Sequence, residues 1–289
     1  MEVFDQIDSL RKYLLNHTRN QQLTGFIPTM GALHKGHIHL VKSSLSACDL
    51  TICSIYVNPS QFNNPEDLRR YPRPLKKDLQ ILETAGCQVA FCPSDAEMYP
   101  GAVNFSLNPG YHEKIMEGAF RPGHFRGVSL VVAKLLNIVR PDVAFFGMKD
   151  LQQCVVIRQM VRELNFPVDV RCVETVREPD GLAMSSRNRL LSSAERRAAP
   201  LFYQCLLKAR ENLLNGQSVD QVKLSVAADL DRAGEPLRLE YFEIADAENL
   251  QPLDVFDNRK ETALCIAGYA GTVRLIDNLI IKSATFVSE

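Results

Sequence analysis

The feature that most limits what this chain can fold into is a rhythm. Five short apolar runs, Leu23 to Ile27, Thr51 to Val57, Gln88 to Cys92, Val143 to Phe146 and Val168 to Cys172, are separated by stretches with helical spacing. Such runs read as buried strands, and strands alternating with helices build a parallel sheet covered on both faces. Two of the helices have clear ends. Val128 to Val139 stops ahead of Pro141, and Gln152 to Leu164 is halted by Asn165, Phe166 and Pro167, because proline excludes helical backbone at the residue before it. The predicted fold class is α/β, a doubly wound, Rossmann-like parallel sheet.

After Arg177 the rhythm changes. Glu178, Pro179, Asp180 and Gly181 form a turn, and two polar-faced helices follow at about Ala194 to Leu214 and Val219 to Arg232. Three strands come next, roughly Arg238 to Ile244, Thr262 to Ala267 and Val273 to Ile280, with Gly268, Tyr269, Ala270 and Gly271 predicting a hairpin between the last two. The boundary therefore falls near Val176, giving residues 1–176 as the doubly wound domain and 177–289 as a smaller α+β domain. A chain of 289 residues is long enough for two such cores.

Charge and cysteine usage narrow the partners. Thirty-three basic against thirty-four acidic residues give a net charge of −1, so no general attraction to nucleic acid or an anionic membrane is expected. A small soluble ligand fits better. Cys48, Cys53, Cys87, Cys92, Cys154, Cys172, Cys205 and Cys265 form no C-x-x-C pair and mostly sit in apolar runs, as free thiols do in a reducing cytoplasm. Met1 to Asn20 has no apolar signal-like core, and no run approaches the roughly 18 apolar residues of a membrane span. The expected location is cytoplasmic.

Between the first strand and the next helix stands Pro28-Thr29-Met30-Gly31-Ala32-Leu33-His34-Lys35-Gly36-His37. Doubly wound sheets bind ligands at such strand-to-helix turns. Gly31 and Gly36 let a phosphate or ribose approach the backbone, and the helix opening near His37 offers N–H groups to an anion. His34 and His37 can then donate to phosphate oxygens and stabilise the charge of departing pyrophosphate. A capped helix start with two solvated histidines is the alternative for this pattern alone. A metal site is weakly supported: no third ligand lies nearby in sequence, and Lys35 would repel a cation.

A second cluster, Gly181-Leu182-Ala183-Met184-Ser185-Ser186-Arg187-Asn188-Arg189, follows the domain boundary. Hydroxyls beside a guanidinium suit the β and γ phosphates of ATP. By itself it reads more readily as a surface loop. Its co-occurrence with H-x-G-H is what points to adenylating enzymes, which pair that motif with an M-S-x-S-type loop.

These two motifs, with Asn58-Pro59-Ser60-Gln61-Phe62, Tyr71-Pro72-Arg73, Arg121-Pro122-Gly123-His124-Phe125-Arg126-Gly127-Val128, Gly147-Met148-Lys149-Asp150-Leu151-Gln152-Gln153 and Arg177-Glu178-Pro179-Asp180-Gly181-Leu182, resemble the pantothenate synthetase family over nearly the whole chain. The resemblance implies a homodimeric, AMP-forming ligase that joins pantoate to β-alanine through a pantoyl adenylate, with Mg2+ arriving on ATP. Residues 1–176 then become the ATP- and pantoate-binding domain and residues 177–289 a lid domain.

Residue by residue, the resemblance assigns ATP to Met30, Gly31, Ala32, Leu33, His34, Lys35, Gly36 and His37, with His34 and His37 on the phosphates and His37 as proton donor. Gly147, Met148, Lys149 and Asp150 form its ribose and phosphate loop, Val176 its adenine-contacting backbone, and Met184, Ser185, Ser186 and Arg187 its second phosphate loop. Gln61 and Gln153, with Asn58, take pantoate, and Gln61 also serves β-alanine. The catalytic set is His34, His37, Lys149, Ser185, Ser186 and Arg187. Neutral amides suit pantoate because they address hydroxyls while leaving the carboxylate nucleophile charged.

Several readings stay open. Asp78 is a possible protein contact for Mg2+, an ion that usually keeps water and substrate oxygens. His124 either lines the acid pocket or braces a loop, and Arg69, Arg70, Arg73, Lys76 and Lys77 form a solvated face or part of a lid. The family usually has glutamate at Met148 and tyrosine at Leu151, so hydrogen bonds from those side chains are absent here. The rivals are a nucleotidyltransferase that leaves the nucleotide on its product and a silent binding module. A tRNA-charging enzyme is disfavoured, since the C-terminal segment is short and balanced in charge.

Overall fold

The computed structural model describes residues 1–18 and 22–283. The chain divides into two compact units, one of residues 1–148 and 152–174, the other of residues 149–151 and 175–289.

The first unit contains β1 (Glu2–Phe4), α1 (Ile7–Thr18), β2 (Thr24–Thr29), α2 (Lys35–Leu45), β3 (Leu50–Ile55), α3 (Pro65–Arg70), α4 (Leu75–Thr84), β4 (Val89–Phe91), α5 (Asp95–Met98), α6 (Met116–Phe120), α7 (His124–Val139) and β5 (Val143–Gly147). Helix α8 (Leu151–Glu163) and β6 (Asp169–Val173) follow. All six strands pair in parallel, in the order β1-β4-β3-β2-β5-β6. The doubly wound sheet read from the alternation is therefore present.

Its two faces are visible in consecutive residues, because successive strand side chains point to opposite sides. Phe26, Ile52, Phe91 and Phe146 enter one core with Leu10 of α1 and Val128, Val132 and Leu136 of α7. Their neighbours Ile27, Cys53, Ala90 and Phe145 enter the other, with Leu40 and Val41 of α2 and Leu82 of α4. Apolar side chains on both sides explain why the strands read as continuous runs rather than alternating ones. Burial pushes the thiols of Cys87 and Cys92 up to about 11, so both remain protonated at neutral pH.

The second unit contains α9 (Ser193–Ala198), α10 (Leu201–Leu214), α11 (Val219–Ala233), β7 (Leu237–Asp246), β8 (Thr262–Ala270) and β9 (Val273–Ile281). The strands form an antiparallel sheet in that order. Phe202, Leu206 and Leu213 of α10 and Val222, Val226 and Leu230 of α11 share one core with Phe242, Ile244, Leu264 and Ile266.

Three details differ from the sequence reading. The predicted helix Ala194 to Leu214 is two helices, because Pro200 stands at the N-cap of α10 and cannot continue the preceding hydrogen-bond ladder. The hairpin loop is Gly271-Thr272, and Gly268 lies inside β8 paired with Leu275. Strand β1, three residues long, was not expected at all.

Candidate active site

Strand β2 is flanked by β3 and β5. The chain winds from β2 through β3 and β4 in one direction and returns to β5 and β6 in the other, so the carboxyl end of β2 is the topological switch point, where such sheets bind ligands. Beyond it the backbone turns sharply, with φ of 77° at Gly31 and 51° at Ala32. The left-handed conformation costs a residue like alanine about 1–2 kcal/mol. Asp78 on α4 offsets that cost: its Oδ2 accepts from Ala32 N and its Oδ1 from Leu33 N, both at 2.8 Å. The carboxylate is 1% exposed, and both oxygens face the loop's amides rather than standing open to an ion.

Helix α2 starts immediately after this bend. His34 is its N-cap, with Nδ1 accepting from Gly36 N at 3.1 Å, and His37 returns the contact, its Nδ1 accepting from His34 N at 3.2 Å. This is a capping box built from two imidazoles, whose ring centroids are 4.1 Å apart. The capped start and the phosphate site are thus compatible readings of one geometry. A neutral ring that accepts at Nδ1 carries its proton on Nε2, so the cap sets both histidines up as Nε2–H donors. Gly36 is small for a related reason: a Cβ there would lie 2.9 Å from His34 Cε1 and push the ring off the cap. Met30, His34, Gly36 and His37 are half-buried, Lys35 is exposed, and Gly31, Ala32 and Leu33 are buried.

The amides after β3 form a second cluster. Gln61 donates through Nε2 to Met30 Sδ at 3.0 Å and accepts at Oε1 from Asn58 Nδ2 at 3.2 Å. Asn58 Nδ2 also donates to Gly127 O, and Asn58 Oδ1 accepts from Ser60 and from the Tyr99 hydroxyl at 2.9 Å. Asn58, Gln61 and His124 are buried. His124 braces the loop: its Nδ1 lies 2.8 Å from Gln61 O, and its Nε2 lies 3.2 Å from Arg121 Nη1. A carbonyl only accepts and a guanidinium only donates, so the ring carries its proton on Nδ1. Tyr99 has no signal in the sequence that ties it to Asn58, which lies 41 residues away.

A close approach holds this cluster to α7. A Cβ on Gly127 would sit 2.2 Å from Ser60 O and 2.7 Å from Gln61 Cα. Overpacking of this kind costs about 1–3 kcal/mol, and Gly127→Ala is expected to lose that much stability in urea unfolding. Unchanged stability would contradict the packing described.

Of the adjacent glutamines on α8, Gln152 is structural. It accepts from Glu117 N at 2.9 Å and donates to His112 O and Ile115 O. Gln153 is half-buried, and its side chain makes no hydrogen bond to another described residue. Gly147 and Met148, at the end of β5, are half-buried, while Leu151 is 5% exposed, a place for an apolar side chain. The basic run is exposed, with Arg69 and Arg70 pairing Glu66 at 2.7 and 3.7 Å.

The second unit assembles the remaining residues around Arg177. Met184 N donates to Val176 O at 2.9 Å and Glu178 N to Leu182 O at 2.8 Å, so Val176 and Met184 stand side by side in a small antiparallel turn. Ser185 caps the short helical turn Ser186–Leu190, accepting from Arg187 N at 3.3 Å, and Ser185, Ser186 and Arg187 are half-buried. Lys149 is largely buried and lies 3.9 Å from Asp150, which is half-exposed. Nothing in the sequence signals that Asn278, 129 residues on, donates to Lys149 O at 2.9 Å.

This arrangement defines an α/β enzyme with a His-x-Gly-His loop at the switch point of its sheet and a Ser-Ser-Arg loop in a second unit. Comparison with known proteins narrows that class. The family model described as pantoate-beta-alanine ligase matches residues 2–280. Pantothenate synthetase 1 of Bradyrhizobium diazoefficiens is 44% identical over 98% of this chain and 99% of its own, and the Thermosipho africanus pantothenate synthetase is 44% identical over 97% and 100%. The crystal structure of Thermus thermophilus pantothenate synthetase superposes with a TM-score of 0.90 at 41% identity, covering 98% of this chain and 100% of that one. The Francisella tularensis ligase, solved with β-γ ATP and β-alanine, gives 0.78 at 36% identity and 97% of both chains. The chain belongs to the pantoate-β-alanine ligase family and is an ATP-dependent ligase condensing pantoate with β-alanine.

Proposed function

We propose that the condensation runs through a pantoyl adenylate, with the roles divided between the two units as follows. Pantoate's carboxylate attacks the α-phosphorus of ATP and pyrophosphate departs. The amine of β-alanine then attacks the acyl carbon, the acyl C–O bond breaks with its electron pair leaving on AMP, and the nitrogen gives up a proton to water as the amide forms. The observation that carries this reading is the double-histidine cap, which orients two Nε2–H donors at the switch point of the sheet. Such preorganised donors lower the barrier when they meet charge that grows in the transition state.

His34 and His37 take the phosphates, and the His37 Nε2–H donates a hydrogen bond to the departing pyrophosphate, stabilising its charge. Met30 to Leu33, Lys35 and Gly36 shape the ATP loop. Asn58, Gln61 and Gln153 hold pantoate, and Gln61 then meets β-alanine. Gly147, Met148, Lys149 and Asp150 take the ribose and phosphates, the Val176 main chain takes adenine, and Met184, Ser185, Ser186 and Arg187 of the lid domain take the phosphates. Residues 1–176 and 177–289 are the corresponding functional domains.

Magnesium enters with ATP, on phosphate oxygens and water. Among the described residues no group of three or more His, Cys, Asp or Glu is placed to hold an ion, and Asp78 is engaged by Ala32 and Leu33. The ion's chemistry is to neutralise phosphate charge. The same reading takes the protein as a cytoplasmic homodimer. No helix of the described residues is long and apolar enough to cross a membrane.

Incubation with ATP, magnesium, pantoate and β-alanine tests the reading. AMP, pyrophosphate and the amide in equal amounts are expected. A product that retains the nucleotide, with no amide, would place the chain among the nucleotidyltransferases instead.

A further inference from the structure

The second unit contains a buried polar chain that links Lys149 to the turn leading into Met184. Asn278 and Asp277 are adjacent on β9, 6% and 7% exposed, where β8 pairs them with Cys265 and Ile266. Asn278 Nδ2 donates to Lys149 O at 2.9 Å. Asn278 N donates to Asp277 Oδ1 at 2.7 Å, and Asp277 receives both Arg177 Nη1 and Nη2, at 2.6 and 3.0 Å. Arg177 also donates to Gly181 O at 3.0 Å and to Asn278 O at 3.1 Å, and lies 3.7 Å over the Tyr203 ring. A bidentate guanidinium–carboxylate pair fixes orientation as well as distance. The groups at both ends of this chain are ones that the proposed mechanism places on the phosphates.

We infer that Asn278 is a positioning residue for the adenylation step, holding Lys149 in register with Ser185, Ser186 and Arg187. Three observations carry this. The bond goes to the main chain of Lys149, so it sets where the residue stands while leaving its ammonium to a ligand. Residues 149–151 cluster with the second unit although their flanks, to Met148 and from Gln152, belong to the first. Lys149's own ion pair with Asp150, at 3.9 Å beside a half-exposed carboxylate, is too weak to fix it. A point charge acting on a transition state must be placed to within a fraction of an ångström, and loss of that placement costs about 10²-fold.

The inference rests on the role proposed for Lys149, and a double-mutant cycle separates the two. Wild type, Lys149→Ala, Asn278→Ala and the double variant are compared by pantoate-dependent exchange of pyrophosphate into ATP, with thermal unfolding measured alongside. Asn278→Ala is expected to lower the exchange kcat roughly tenfold to a hundredfold, with KM for pantoate little changed. In the Lys149→Ala background the same substitution is expected to cost nothing further, because its effect passes through Lys149. A loss of equal size in both backgrounds, or in neither, would overturn the inference. Wild-type activity in Lys149→Ala would instead defeat the role of Lys149, a result read without touching Asn278. Should Asn278→Ala fail to fold, Asn278→Ser, polar but too short to reach Lys149 O, is read in the same way.

Discussion

Replacing Asp78 with alanine is expected to lower the free energy of unfolding by about 2–6 kcal/mol, since two buried amides would each lose their acceptor at about 1–3 kcal/mol. Those amides are Ala32 and Leu33 N–H, each 2.8 Å from the carboxylate. The effect should reach beyond stability. Ala32 holds a left-handed φ of 51°, and with the carboxylate gone nothing charged would oppose its return to ordinary backbone. His34, two residues on, would then lose its position at the start of α2. The expected signature is a clear fall in the urea midpoint together with weaker ATP binding. Asp78→Asn, which keeps one acceptor oxygen, should fall between. A variant as stable as the parent would show that the loop does not depend on this contact.

His37→Ala is expected to reduce kcat for pantoate adenylation roughly 10²–10³-fold, the usual cost of removing one preorganised donor to developing charge, with KM for pantoate little altered. Loss of the cap to His34 N adds only about 1 kcal/mol in stability, so the enzyme should still fold. The split between the two constants is the informative part. An interaction made only in the transition state lowers kcat, whereas one made equally with bound substrate raises KM. An unchanged kcat with a raised KM would make His37 a binding group and nothing more.

Much of the fold was legible because a doubly covered sheet leaves a simple trace. Phe26 and Ile27, or Phe145 and Phe146, enter opposite cores, so each strand is apolar throughout and stands out between helices. Where the trace failed, the cause was tertiary. Gly268 read as a turn residue, yet it is small because a Cβ would lie 2.5 Å from the Phe202 ring, while Gly271, with φ of 59°, makes the turn. The three residues of β1 are too few to show a period.

The site divides in the same way. His34, Gly36 and His37 act on each other within one helical turn, so their spacing alone suggested both the cap and the ligand. The Asp78 carboxylate reaches the loop from 45 residues away, Asn278 reaches Lys149 from 129, and Tyr99 reaches Asn58 from 41. No local pattern encodes such contacts. Choosing Gln153 over Gln152 rested on family resemblance, and the structure supplies a physical reason to separate them: Gln152 spends its amide on His112, Ile115 and Glu117.

The central claim is that pantoate is activated as an adenylate before β-alanine takes part. Labelled pyrophosphate, incubated with the protein, ATP and magnesium, tests it most directly. Label is expected to enter ATP when pantoate is present, to stay out when pantoate is omitted, and to need no β-alanine. Exchange that never occurs, or that occurs only after β-alanine is added, would contradict the adenylate and the roles assigned to His34, His37 and Lys149.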